Sequence, residues 1–237
     1  MSALTLSYNN IGGEFPVGFS DLGKLRKLAI DHNSFSSTIP PEFGSLSRLT
    51  ALQASDNFLF GSIPGSFASL SGLKVLDVSN NRLTGQLSDY VAMNLVSMTS
   101  LTITGNDFQG TIPSGICSMS RLYTVDVSDN QFTQNIPECF FELNVLTYVM
   151  MNGNNFYGPI QDFISHQLVV LDLRYNYFSG SLPSSVLSAN LLTVLALASN
   201  QFTGELVGIG SSPRLQAIEL DSNAFSGPVS VYVRCAV

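Results

Sequence analysis

Ten asparagines recur along this chain at nearly constant spacing: Asn9, Asn33, Asn57, Asn81, Asn106, Asn130, Asn154, Asn176, Asn200 and Asn223, separated by 24, 24, 24, 25, 24, 24, 22, 24 and 23 residues. Apolar residues stand five and three positions before them, as in Leu28 and Ile30, Leu76 and Val78, Val125 and Val127, or Leu171 and Leu173. A further apolar residue, usually Phe, follows two positions after: Phe35, Phe108, Phe132, Phe156, Phe178, Phe202 and Phe225. A period of this length held in register from end to end excludes an ordinary globular core. It demands stacked, near-identical coils, each too thin to bury its own apolar residues.

The alternating segment before each Asn, such as "LDVSN", predicts a short strand with one face inward and one outward. The Asn stands where the strand turns, and its amide serves backbone groups that an apolar side chain would leave unpaired. The Phe column predicts a stacked spine behind the strands. Later in the repeat, "LFGSIP", "FQGTIP" and "FSGSLP" place Gly in one column in eight of ten copies, with Ser37 and Gln134 as exceptions. Gly suits a tight bend at positive φ. Pro follows in six of ten copies, fixing φ and removing an N–H donor. The longer interval around "SDYVAMNLVSM" lacks that Pro and predicts a true helical turn.

This "LxxLxLxxNxLxGxIPxxLxxL" pattern resembles the plant-type leucine-rich repeat of receptor-like kinases, receptor-like proteins and polygalacturonase-inhibiting proteins, over nearly the entire chain. The resemblance implies one α/β solenoid over residues 1–237, with about ten repeats of 22–25 residues. It would be a right-handed superhelix with a parallel sheet on its concave face and 3₁₀ or short strand segments on the convex side. Met1 falls inside the first repeat and "SGPVSVYVRCAV" follows directly on the tenth, so the expectation is a fragment lacking both polar end caps.

Cys117 and Cys139 lie just beyond the "IP" of consecutive repeats, 22 residues apart, which puts them on neighbouring turns of one edge. Their separation suits a disulfide, against the alternative of two small buried thiols. The pair also resembles the "IC…IPxC" signature of plant receptor-like proteins, which implies the bridge and hence an oxidising compartment. Cys235 is then the odd cysteine. No N-x-S/T sequon occurs in the chain.

Composition limits function. Charged residues make up 11% and the net charge is -7, which argues against nucleic acid; the densest basic run, Lys24, Arg26 and Lys27, is short and reads as a solvated face. No apolar run is long enough to cross a bilayer, so membrane attachment would need a segment outside this chain. His32 and His166 sit in different repeats, and no metal spacing or phosphate-cradling loop is present. Asp77, Asp126, Asp172 and Glu219 share the column four before Asn, but Asp there belongs to the generic "LDLS" pattern of the family; neither a catalytic role nor a cofactor is expected. Most outward strand positions are small, such as Thr102, Thr104 and Ser128. Repeats seven and eight depart from this with Tyr148, Met150, Asn152, Arg174, Tyr175 and Tyr177, residue types enriched at binding hot spots. Those six are the candidate ligand site, with an Arg174–Asp172 ion pair on a bland surface as the alternative. Phe58, with Asp56 and His32, is a lesser candidate. The expectation is a non-enzymatic, extracellular or cell-surface recognition module for a protein or peptide ligand. A secreted inhibitor or adhesion protein, directed at an extracellular enzyme or cell-wall polymer, is the alternative.

Overall fold

The computed structural model describes residues 1–209 and 212–228. Ten three-residue strands, from Ala3–Thr5 to Ala217–Glu219, form one parallel sheet in chain order. Each pairs with its sequence neighbours without slippage: Val125 lies opposite Leu101 on one side and Val149 on the other. Register cannot drift, because a one-residue slip would turn every inward Leu to solvent. The middle residue of each strand from Leu28 to Leu195 is buried, and its two neighbours face outward.

Each strand ends in the same backbone event. The residue before the repeat Asn takes a left-handed φ in all ten coils, from Tyr8 at 57° through Tyr175 at 54° to Ser222 at 55°. Only Gly105 and Gly153 do this without a side chain, so most coils hold a conformation that costs a non-Gly residue about 1 kcal/mol or more. The Asn that follows holds it there. Asn130 Nδ2 donates to the carbonyls of Ile103 (3.0 Å), Val127 (3.2 Å) and Ser128 (2.8 Å). Its Oδ1 accepts the Phe108 N–H at 3.0 Å. The same set recurs at Asn33, Asn57, Asn81, Asn106, Asn154, Asn176, Asn200 and Asn223, linking each coil to the one before it. Among the described residues no buried side-chain nitrogen or oxygen lacks a partner.

Past the turn, an eight-stranded parallel sheet runs from Phe60–Gly61 to Ala224–Phe225 on the other side of the core. Its inward residues form the expected spine: Phe108, Phe132, Phe156, Phe178, Phe202 and Phe225 stack with centroids 5.8–6.3 Å apart. The glycine column carries positive φ, as at Gly110 (82°), and Gln134 adopts it at 69° without being Gly. Ser37 does not; its hydroxyl instead accepts the Phe15 N–H at 2.9 Å, and the strands Gly12–Gly13 and Ser34–Phe35 form a separate two-stranded sheet there. Short 3₁₀ helices such as Pro41–Ser45 and Ser114–Ser118 follow Pro40 and Pro113, which cap them with extended backbone. The segment without Pro is helical as expected: Asp89–Asn94, with Ser88 Oγ accepting the Val91 N–H at 3.4 Å.

Cys117, on the 3₁₀ helix Ser114–Ser118, is bonded to Cys139, on the helix Glu138–Phe141, with Cα atoms 5.7 Å apart. The bridge ties coils five and six together on the helical edge. Cys235 lies outside the described residues.

Two outcomes follow. Asn130→Ala removes donors from three carbonyls and the acceptor of Phe108, and urea unfolding should show a loss of about 2–4 kcal/mol; a change below about 0.5 kcal/mol would contradict the role given to the ladder. Thiol titration of the denatured, unreduced chain should count one free cysteine, Cys235, and replacing Cys117 and Cys139 by Ser should lower stability by about 3 kcal/mol. A count of three would remove the clamp.

Candidate ligand-binding face

The outward positions of the ten strands form three columns running along the solenoid. At coil seven these hold Tyr148, Met150 and Asn152, with Tyr148 beside Thr124 and Val170, and Met150 between Asp126 and Asp172. Tyr148 is 39% exposed. The Asn152 amide oxygen accepts from Ser128 Oγ at 2.7 Å, which fixes its side chain towards coil six.

Arg174 is committed within the protein. Its Nε and Nη2 bond both carboxylate oxygens of Asp172, at 3.0 and 2.6 Å, and its Nη1 reaches Glu219 Oε2 at 2.7 Å. The guanidinium thus bridges coils eight and ten over Ala196 and Ala198, whose small side chains leave it room and are themselves buried. The hydrogen bond to Asp172, with Glu219 adding, raises the Arg174 pKa against the effect of burial. The ion pair is therefore present, and Arg174 positions carboxylates more than it offers a free hand to a ligand.

The six candidate residues do not form one surface. Tyr148, Met150, Asn152 and Arg174 share the concave sheet. Tyr175 stands in the left-handed turn at its edge, 62% exposed. Tyr177 belongs elsewhere: it opens the strand Tyr177–Ser181 of the second sheet, opposite Tyr157. The Asn turn lies between them and sends the chain around the corner of the coil. The His32 group also divides. His32 stacks on Tyr8 at 4.2 Å and lies 3.5 Å from Asp56, whereas Phe58 has passed the turn and carries the Arg82 guanidinium 5.0 Å above its ring.

Tyr123 stands one residue before the strand Thr124–Asp126, at the edge of the concave face, and was not anticipated. It is 44% exposed, and its carbonyl accepts the N–H of Tyr148 at 2.9 Å, so the two tyrosines stand at adjacent coils. The signal was available: seven positions before the Asn, four coils carry Thr, and Tyr occurs only at this one.

The middle of the face is acidic. Burial pushes the Asp126 carboxyl up against the hydrogen bond from the Ser128 N–H, and the charges of Asp129 and Asp77 push it further. Unlike Asp172, it has no cation beside it. Among the described residues no cluster of His, Cys, Asp or Glu is arranged to hold a metal ion, and no helix is long and apolar enough to cross a membrane.

Leucine-rich repeat family models match residues 47–108 as one block and residues 24–46, 121–143 and 167–188 as single repeats, together more than half of the chain. The chain belongs to the leucine-rich repeat family. No curated protein sequence matches it. Among solved structures, it is similar to the plant peptide hormone receptor RGFR1 in complex with RGF2 (29% identity, TM-score 0.91), covering 94% of this chain and 36% of that one. It is also similar to the ectodomain of the Arabidopsis receptor kinase HAESA bound to an IDA peptide hormone (33% identity, TM-score 0.89), covering 96% of this chain and 38% of that one. A plant ice-binding protein matches at 26% identity and TM-score 0.82, covering 100% of this chain and 77% of that one. The chain thus spans little more than a third of the two receptor ectodomains.

A pH dependence follows from Asp126. Its folded-state pKa is raised, so its contribution to stability is complete below the unfolded value of about 3.9 and is lost as pH rises through the folded value. Asp126→Asn should therefore gain stability relative to the native protein between pH 3.5 and pH 7, measured by urea unfolding. A difference that stays constant with pH would refute the assignment.

Proposed function

We propose that the protein is a non-enzymatic recognition module whose concave face binds an extended peptide, as an extracellular or cell-surface protein. The carrying observation is that the exposed Tyr123 and Tyr148 stand on adjacent coils, at a face whose Asp126 carboxylate has no cation beside it among the described residues. Exposed tyrosines supply contact area at low entropic cost, and the uncompensated carboxylate favours a basic residue in the ligand. The printed descriptions of the RGFR1 and HAESA complexes, with a peptide hormone bound, support the same ligand class. The Cys117–Cys139 bridge supports an oxidising compartment.

A second reading has its own observation. The plant ice-binding protein is matched over most of its length, which supports a solenoid whose outer surface meets something other than a peptide hormone. Secreted inhibition or adhesion belongs to that reading.

The discriminating experiment is a screen of synthetic secreted-type peptides against the immobilised protein, with a Tyr123→Ala, Tyr148→Ala variant as counter-screen. Peptides that bind the native protein should lose at least tenfold in affinity on the variant, with an unchanged melting temperature, since loss of a hot-spot ring costs about 2 kcal/mol or more. Peptides held equally by both proteins would dismiss the concave patch.

A further inference from the structure

The second sheet has an outward face of its own, and its chemistry differs from that of the concave side. In each coil the residue one after the Asn and the residue three after it face out, on either side of a buried spine residue such as Phe108 or Phe156. Parallel registration brings the later of these next to the earlier one of the following coil. The outward row therefore reads as a series of neighbouring pairs across the strands.

Two of these pairs contain aromatic rings. Phe60 stands opposite Arg82, and Tyr157 opposite Tyr177. The four residues Phe58, Phe60, Tyr157 and Tyr177 are 43–52% exposed. Arg82 lies over Phe58, so Phe60 is the ring left open at that end. Phe60 and Tyr157 are four coils apart, about 19 Å at the spacing of paired strands.

Between the rings the face is polar and almost uncharged. The intervening pairs are Thr84 with Asp107, Gln109 with Gln131, and Thr133 with Asn155. Asp107 is the single charge between Arg82 and Thr203 along this row, and Gln131 Nε2 already donates to its carboxylate at 3.1 Å. The side-chain amides of Gln109 and Asn155 have no hydrogen-bond partner among the described residues.

We propose that this face binds a neutral β-linked polysaccharide laid across the strands. A pyranose ring presents C–H groups on its faces and hydroxyls around its edge. The faces would stack on Tyr157 and Tyr177, with Phe60 as a distal platform, while the hydroxyls bond the unpartnered amides between them. A polyanion is not the favoured occupant, since the one cation of the row, Arg82, stands at its end and is engaged over Phe58. Both sheets are held by the same backbone ladder, so little ordering accompanies binding. This site is separate from the concave peptide-binding surface, and either assignment can fail without the other.

The test is affinity electrophoresis of the native protein in gels containing mixed-linkage β-glucan or xyloglucan, with polygalacturonate as the anionic control. The neutral glycans should retard the native protein and polygalacturonate should not. The double variant Tyr157→Ala, Tyr177→Ala should lose at least tenfold in association constant with an unchanged melting temperature, while Tyr157→Phe, Tyr177→Phe should keep most of the retardation because stacking uses the ring face. Absence of retardation by both glycans would overturn the proposal, as would retardation that survives the double Ala variant or that polygalacturonate alone produces. Inhibition of ice recrystallisation that the Ala variant abolishes, with no glycan binding, would assign the face to ice and equally overturn it.

Discussion

Everything in this molecule depends on how one buried carboxamide connects two coils. An Asn at the strand end accepts the N–H of a residue in the preceding coil and divides its own two hydrogens among three carbonyls, one of them in that preceding coil. The turn it closes contains a residue at left-handed φ, so a conformational cost recurs once per coil. A serine is too short to reach both partners, and a carboxylate would set negative charge against the carbonyls. The Asn column is therefore the least replaceable feature of the repeat, and the parallel register of both sheets follows from it.

Because each coil copies its neighbour, the sequence carried most of the architecture. The strands, the Phe spine, the Pro-led 3₁₀ turns and the helix at Asp89–Asn94 each correspond to a column or to a visible break in one. What the repeat pattern did not show was how the candidate residues divide between faces, and the reason is geometric. Tyr175 and Tyr177 are two residues apart in sequence, which suggests one face. The turn at Asn176 lies between them and sends them to different surfaces. Tyr123 was missed for a related reason: repeats seven and eight drew the eye, while a concave patch is assembled by stacking across coils and takes its members from whichever coils adjoin.

Arg174 shows how the concave face arranges its own electrostatics. One guanidinium takes both oxygens of Asp172 and one of Glu219, across a coil that offers only Ala beneath it. Asp172 is 8% exposed, and a carboxylate so buried would be costly if unpaired. The Arg174 cation thereby offsets part of the acidity of coils eight to ten, where Asp172, Glu219 and Asp221 stand. Coil six has no equivalent cation, and Asp126 answers by holding its proton more tightly. A ligand on this face therefore meets a carboxylate with no cation at coil six and partly offset carboxylates at coils eight to ten.

A solenoid of this kind exposes two sheets that share one core but not one chemistry. Substitution on either outward face leaves the Leu and Phe columns and the Asn ladder untouched, so the two surfaces are free to vary independently. On the concave side that freedom appears as carboxylates and adjacent tyrosines; on the second sheet it appears as amides, hydroxyls and paired rings with almost no charge. Between Arg82 and Thr203 the second sheet's outward row keeps a single carboxylate, Asp107, already engaged by Gln131, while the concave columns carry Asp77, Asp126, Asp172 and Glu219, so complementary charge can select a ligand on the concave side, whereas stacking and hydrogen bonding must do so on the second.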